Sequence, residues 1–170
     1  MKKAICLIIA CFLLISCCCY TESKSTTFQG QLHGLVIRVL DGDTVDIWSS
    51  NDRKFRIRLF GIDAPEKGQS YGEESTDNLI KYCADKSVTA ELMDVDRYSL
   101  LIAVIYCDGI NANLQQIKDG VAWVYDYYTS KDNQTLVSPY YQAETTAKET
   151  KIGLWLGEEP IPPWEWRHGK

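Results

Sequence analysis

The sequence predicts an α+β domain in which five strands close into a small barrel, with one helix after the third strand and two after the fifth. Three observations support this class. Apolar and polar residues alternate in three early and middle segments, one later segment is almost wholly apolar, and three further segments show helical spacing. A length of 170 residues suits one such domain with additional terminal segments.

The first three strands are predicted at residues 35–40, 44–47 and 54–59. The first is a short apolar run, whereas the other two alternate apolar with polar side chains, as expected for strands with one buried face. Asn51 and Asp52 form a turn that joins the second and third strands into a hairpin. The fourth strand, at residues 87–92, alternates again, and the fifth, at residues 100–106, is nearly all apolar.

Three helices are predicted, at residues 73–84, 111–119 and 139–151. The first has acidic residues in its first turn, as the helix dipole favours, and the second stops at Gly120. The third begins with Ser138 as its cap and Pro139 at its first position. The side chains expected to face inward are Leu79, Ile80, Cys83, Leu114, Ile117, Ala143 and Ala147. This order of elements is typical of the oligonucleotide-binding (OB) barrel.

The N-terminus predicts export. Lys2 and Lys3 precede an apolar run at residues 4–15, which is too short to cross a bilayer comfortably and is typical of a signal peptide. Cys17 follows Leu-Ile-Ser, which resembles the lipoprotein box whose cysteine is acylated. We therefore expect a bacterial envelope lipoprotein anchored by lipid, without a transmembrane helix in its mature form. The alternative is an ordinary signal peptide that is cut elsewhere and releases a secreted protein.

Four segments are predicted: a signal peptide at residues 1–16, a flexible polar tether at 17–31, a folded domain at 32–156 and an aromatic tail at 157–170. The tail is expected to pack back on the domain, because tryptophans in such a tail more often pack than bind. Without residues 1–16 the chain has 16 basic and 23 acidic residues, a net charge of −7. This charge argues against a high-affinity nucleic-acid binder, but only mildly against a hydrolase, which needs local positive charge.

Cysteine and histidine are sparse in the predicted domain. Beyond the N-terminal cluster the cysteines are Cys83 and Cys107, which in an oxidising compartment form either one disulfide or two buried thiols. His33 and His168 are the two histidines of the sequence, which disfavours a zinc site or a histidine-based nucleophile.

Four carboxylates lie on two short loops at either end of a strand that carries two arginines. The carboxylates are Asp41, Asp43, Asp63 and Glu66. Their hard oxygen ligands, beside the guanidinium groups of Arg56 and Arg58, suit a divalent cation and a phosphate. Either loop alone is an ordinary turn. The two together, with their aspartates 20 residues apart and an arginine strand between them, favour a metal site.

The patterns VLDGDTVDI and RIRLFGIDAPE together resemble the thermonuclease (staphylococcal nuclease) family, over about residues 35–155. The resemblance implies the same barrel architecture and a calcium site. The family's calcium ligands correspond to Asp43, Asp63 and the backbone carbonyl of Ala64, with Asp41 close by. Calcium accepts such mixed ligation by carboxylates, carbonyls and water.

The resemblance also implies two catalytic residues. Glu66 matches the carboxylate that acts near the attacking water, either as general base or as the group that orients the water. Arg58, five residues before Asp63, matches an arginine that binds phosphate oxygens and stabilises the transition state. Without the resemblance, Glu66 would be a solvated loop residue and Arg58 a solvated strand residue.

One segment departs from the family. Where the family has Asp-Arg-Tyr-Gly-Arg, this chain has DRYSL at residues 96–100, so Leu100 replaces the second catalytic arginine. Losing one such donor commonly costs about 3 kcal/mol in the transition state. Arg56, on the same strand face as Arg58, and Arg97 are the two candidate replacements.

The substrate contacts that the resemblance implies lie in two segments. Arg97 and Tyr98 match residues that contact another phosphate, and Tyr127 and Tyr128 fall near tyrosines that lie beside the nucleotide. Tyrosine rings can stack on bases without reading their sequence. Because the second segment matches the family poorly, a structural role for Tyr127 and Tyr128 is equally open.

These observations favour a monomeric, calcium-dependent phosphodiesterase that cuts DNA and RNA with little sequence preference and prefers single strands. Because Leu100 replaces the second arginine, an impaired enzyme and a competent one are equally open. The alternative is a non-catalytic barrel of the cell envelope that binds nucleic acid or calcium. Leu100 supports that alternative, whereas the retained carboxylates and Arg58 oppose it. A structural envelope lipoprotein would explain only the N-terminus and the tail.

Overall fold

The structure is a computed structural model that describes residues 30–96, 98–125, 127, 134–157 and 159–169. The predicted signal peptide, the lipidation site Cys17 and the substrate-binding candidates Arg97 and Tyr128 lie outside these residues. Within them, no helix is both long enough and apolar enough to cross a membrane.

The described strands are β1 (Gly30–Asp41), β2 (Thr44–Ser49), β3 (Lys54–Leu59), β4 (Ile62–Asp63), β5 (Ser87–Val95), β6 (Leu101–Cys107), β7 (Ile110–Asn111) and β8 (Trp123–Val124). The five long strands lie in the order β3-β2-β1-β5-β6, and neighbouring strands are antiparallel. A parallel pair between β3 and β6, in which Arg58 lies opposite Ile102, closes the barrel. The predicted five-stranded α+β barrel is therefore confirmed.

The described helices are α1 (Gly72–Cys83), α2 (Ala112–Lys118), α3 (Gln134–Glu149) and α4 (Pro163–Trp166), with a 3-10 helix at Gly153–Leu156. The helices predicted before α3 begin and end within one residue of their predicted bounds. Asn111 caps α2, since its side chain accepts a hydrogen bond from the backbone N–H of Leu114 at 2.9 Å. The segment predicted as an aromatic tail contains α4, a helix that periodicity did not predict.

The core fills the barrel and continues under the helices. Fully buried aliphatic residues come from every long strand, and α1, α2 and α3 add Leu79, Ile117 and Val137. Cys83 of α1 and Cys107 of β6 form a disulfide with a sulfur–sulfur distance of 2.04 Å. Of the two alternatives left open by the sequence, the structure thus contains the disulfide.

Two details of the predicted helices are wrong. The third helix includes Gln134, so Ser138 is not its cap and Pro139 lies inside it. Val137 and Tyr140 are 3% and 2% exposed, and this burial stabilises a turn that local cap signals do not reveal. Ile80 of α1 was expected to face inward, but it is 42% exposed, because the buried stripe runs through Leu79 instead.

Candidate active site

The turn between β1 and β2 holds the first two carboxylates. Gly42 lies at its tip, where an added Cβ would come within 2.0 Å of the Ser75 hydroxyl of α1, so only glycine fits this close approach. Asp41 accepts a hydrogen bond from the backbone N–H of Asp43 at 3.1 Å. The Thr44 hydroxyl donates to Asp43 at 3.0 Å. The turn is thereby fixed against α1, and the Asp43 side chain is nearly buried.

The second acidic loop meets the first directly. Asp63 belongs to the short strand β4, whose pairing with β8 places it opposite Trp123. The next residue, Ala64, donates its backbone N–H to Asp43 Oδ2 at 2.7 Å. Asp63 itself is only 1% exposed. The structure therefore brings Asp43 and Asp63 to the same end of the barrel.

Arg58 lies between these two carboxylates. The β2–β3 register places Arg58 opposite Thr44, beside the first acidic turn. Its guanidinium forms an ion pair with Asp43, and its Nη2 donates to Asp63 Oδ1 at 2.6 Å. The side chain is 18% exposed and lines the cavity described below. Arg58 can thus contact a ligand while its own position is held by two carboxylates.

A second guanidinium reaches the same place from the tail. Arg167 donates from Nη2 to Asp63 Oδ2 at 2.8 Å and from Nη1 to Glu66 Oε1 at 2.7 Å. Its hydrogen bonds with Asp63 raise the pKa of the Arg167 guanidinium further above its usual value. The sequence predicted that the tail packs on the domain, but it gave no sign that Arg167 enters the site, because Arg167 is 104 residues from Asp63.

These residues line one cavity of about 150 Å³. Its charged lining consists of the four predicted carboxylates, Arg58 and Arg167, which gives a formal net charge of −2 when all are ionised. Burial raises the pKa of Asp41 above its ordinary value. Oxygen donors with a net charge of −2 suit one divalent cation such as calcium, and Ala64 also lines the cavity.

The carboxylate oxygens of the cavity are directed to arginines and not to a common position that a metal ion would occupy. Among the described residues, no group of three or more histidine, cysteine, aspartate or glutamate side chains is placed to hold a metal ion. Asp43 and Asp63 instead direct oxygens to Arg58, and Asp63 and Glu66 direct oxygens to Arg167. Binding of a cation here would require these carboxylate oxygens to leave their arginine partners, on residues that the fold already brings together.

The remaining predicted site residues lie outside this cavity. Arg56 donates to Asp46 at 2.9 Å and does not line the cavity. The hydrogen bond to Asp46 raises the pKa of Arg56. Leu100 is partly buried, and its backbone N–H donates to Asp96 at 2.8 Å. Neither Arg56 nor Leu100 places a second positively charged side chain in the cavity, whereas Arg167 does.

The two described tyrosine candidates are strongly exposed. Tyr98 is 75% exposed and does not line the cavity. Tyr127 is 74% exposed and stacks on Tyr125, with ring centroids 5.9 Å apart. Tyr125 in turn stacks on Trp164 of α4 at 5.5 Å. The stack of three rings therefore joins the predicted nucleotide segment to the helix that precedes Arg167.

Comparisons with known proteins find one matching family and several relatives of this chain. The sequence model of the family described as "Staphylococcal nuclease homologue" matches residues 56–157. A protein of Escherichia coli O157:H7 named "Uncharacterized endonuclease" is 45% identical over 140 residues, which cover 82% of this chain and 87% of that protein. A Haemophilus influenzae protein of the same name is 36% identical over 132 residues, covering 78% and 71%. The "Micrococcal nuclease" of Shigella flexneri is 33% identical over 143 residues, covering 79% of each chain.

Proposed function

This chain belongs to the staphylococcal nuclease family, and from that premise we propose that it is a calcium-dependent phosphodiesterase that hydrolyses DNA and RNA with little sequence preference. Membership of the family and the names of the relatives support a nuclease. The calcium dependence and the substrate range are the parts that we add. One observation carries the proposal: Asp43, Asp63, Glu66 and Arg58 line a single cavity.

The residues of the cavity divide the chemistry between them. Arg58 would bind the non-bridging oxygens of the phosphate and stabilise the charge that grows on them, since its fork can donate two hydrogen bonds. Calcium, when bound by Asp43 and Asp63 with Asp41 and the Ala64 carbonyl nearby, would add positive charge at the same phosphate.

Glu66 would act on the attacking water. Its backbone N–H donates to the Gln69 side chain at 2.9 Å, which fixes the loop, and its Oε1 is bound by Arg167. Among the described residues its other oxygen accepts no hydrogen bond, so that oxygen is available to a water molecule. Glu66 would take a proton from this water as it attacks phosphorus. Cleavage of the 5′ ester bond would leave a 3′-phosphate.

Single strands are the proposed preferred substrate. The stack of Tyr127, Tyr125 and Trp164 includes the strongly exposed ring of Tyr127. Unpaired bases stack on such rings regardless of sequence.

We further propose, on the sequence alone, that the protein acts as a monomer outside the cytoplasm, anchored through a lipid on Cys17.

Cleavage of heat-denatured DNA tests the proposed function. The purified protein is incubated with the DNA in calcium or in chelator, and fragments are measured over time. We expect fragmentation in calcium only, and its loss in Glu66→Gln. The matched control is Glu74→Gln, which removes an exposed carboxylate of α1 and should cut like the wild type. Binding of DNA without any cleavage would instead identify the non-catalytic barrel.

A further inference from the structure

We propose that Arg167 is a second catalytic arginine, supplied by the tail, that binds the scissile phosphate together with Arg58. The inference rests on the proposed function, because it assigns a role within the same cavity. Nothing in the spacing of the acidic loops or of the arginine strand points to this residue. The contacts of its side chain do.

The two guanidinium groups are close enough to share one phosphate. Arg58 Nη2 and Arg167 Nη1 lie 2.6 and 3.3 Å from the same oxygen, Asp63 Oδ1, so the two nitrogens are less than about 6 Å apart. A phosphodiester carries two non-bridging oxygens and accepts hydrogen bonds of about 2.8 Å from guanidinium groups. One phosphate beside Asp63 could therefore accept from both arginines.

Arg167 is also the more accessible of the two. Its side chain is 40% exposed, whereas that of Arg58 is 18% exposed. Arg58 is held by Asp43 and Asp63 at the base of the cavity, while Arg167 lies against Asp63 and Glu66 nearer the solvent. A substrate entering the cavity would thus meet Arg167 as well as Arg58.

The backbone at Arg167 is fixed by contacts that do not depend on the carboxylates. Gln69, which also fixes the Glu66 loop, donates its side-chain amide to the Ile161 carbonyl at 2.7 Å. Trp164 stacks on Tyr125, and Pro163 is buried. The backbone N–H of Arg167 donates to the Pro163 carbonyl at 3.0 Å. This anchoring holds the Arg167 backbone beside the cavity, so its side chain starts from a fixed point when substrate arrives.

Charge supports the same role. With Arg58 as its sole positively charged side chain the cavity would carry a formal charge of −3, which repels a phosphodiester, and Arg167 reduces this negative charge to −2.

In the proposed step, water adds to phosphorus and gives its proton to Glu66. The ester P–O bond breaks with its electron pair on the leaving oxygen, which takes a proton from solvent. Both arginines stay protonated and bind the oxygens on which charge develops.

The same contacts would also suit a different role, a latch in which Arg167 blocks the oxygens that a cation needs. The two roles predict opposite changes in activity when Arg167 is removed. A catalytic arginine lowers activity when it is removed. A latch raises activity and tightens calcium binding when it is removed, because Asp63 and Glu66 are released.

The experiment compares Arg167→Ala and Arg167→Lys with the wild type, with Arg53→Ala as the matched control for loss of an exposed arginine outside the cavity. Cleavage rates are measured in saturating calcium. Binding of a short fluorescent single-stranded oligonucleotide is measured by anisotropy in chelator, where no cleavage occurs, and calcium affinity by calorimetry. We expect Arg167→Ala to lower kcat about 100-fold. Its oligonucleotide affinity should fall about 10-fold, with a smaller loss in Arg167→Lys, which keeps the charge but not the fork.

Three results would overturn the inference: a rate in Arg167→Ala equal to or above that of the wild type, tighter calcium binding in that variant, or oligonucleotide binding in chelator that matches the wild type. If the wild type itself does not cleave in calcium, the proposed function fails. The binding measurement in chelator still judges Arg167 in that case. Circular dichroism of each variant shows whether it is folded, and Arg167→Lys provides the comparison if Arg167→Ala is not.

Discussion

The backbone N–H of Ala64 donates to the side chain of Asp43 at 2.7 Å, across 21 residues of sequence. This bond joins the two acidic loops through the protein itself. Asp43 also pairs with Arg58 and accepts a hydrogen bond from the Thr44 hydroxyl, so its carboxylate has three partners at this end of the barrel. The protein's own hydrogen bond therefore holds the two acidic loops together.

Asp43→Ala is expected to lower the free energy of unfolding by about 3 kcal/mol, because it leaves the Ala64 N–H and part of Arg58 buried without a partner. Urea unfolding in chelator measures this loss without any contribution from calcium. Asp77→Ala, which removes an exposed carboxylate of α1, should change stability by less than about 0.5 kcal/mol. Equal losses in the two variants would show that the bond between the loops contributes nothing.

Calcium is expected to stabilise the folded protein, since a ligand that binds only the folded state adds about 2.7 kcal/mol at 100 times its Kd. The melting temperature of the wild type should rise as calcium is added and return when it is chelated. Asp63→Asn should abolish the shift, because it removes a charged ligand from the cavity. A shift of the same size in Asp63→Asn would place the calcium elsewhere on the protein.

Leu100→Arg tests whether position 100 or Arg167 supplies the second arginine. In the wild-type background we expect a change in cleavage rate of less than about threefold, since Leu100 lies outside the cavity that Arg167 already enters. In the Arg167→Ala background the same substitution should restore part of the lost rate if position 100 can reach the phosphate. A gain of about 100-fold in the wild-type background would argue that Arg167 does not perform this role.

Acid is expected to destabilise the barrel partly through Asp46. The hydrogen bond from Arg56 lowers the pKa of Asp46 below its ordinary value of 3.8. The stability that this carboxylate contributes is present above pH 3.8 and is lost as the pH falls from there through the lowered pKa. Unfolding free energies measured between about pH 6 and 2 should therefore fall more steeply in the wild type than in Asp46→Asn. Parallel curves would contradict the assignment.

Most of the barrel could be predicted because strand period and turn residues are local signals. The hairpin through Asp52, which has a φ of 60°, and the stop at Gly120, with a φ of 66°, agree with the turn chemistry of their sequences. The start of α3 could not be predicted in this way. Its extra turn depends on the burial of Val137 and Tyr140 in a core assembled from distant strands.

In the site, too, the residues linked by local structure could be predicted, whereas a residue that arrives from a distant segment could not. The residues of the two acidic loops and Arg58 could be predicted to converge, because a hairpin and a short connection link them. Arg167 could not, since its contacts with Asp63 and Glu66 span 104 and 101 residues and follow no periodic pattern. Arg56 was predicted as a replacement for the second catalytic arginine because it shares a strand face with Arg58. Its side chain instead binds Asp46, which lies directly opposite it on β2.

The parallel pairing that closes the barrel also determines when activity can appear during folding. Arg58 lies opposite Ile102 in that pairing, and the two residues are 44 positions apart in the chain. Contacts of such long range form late, because the intervening chain must first be ordered. A refolding molecule with an open sheet would keep Arg58 beside the first acidic turn, but the closed barrel end around it would not yet have formed. Recovery of cleavage after dilution from denaturant should thus coincide with complete folding rather than precede it.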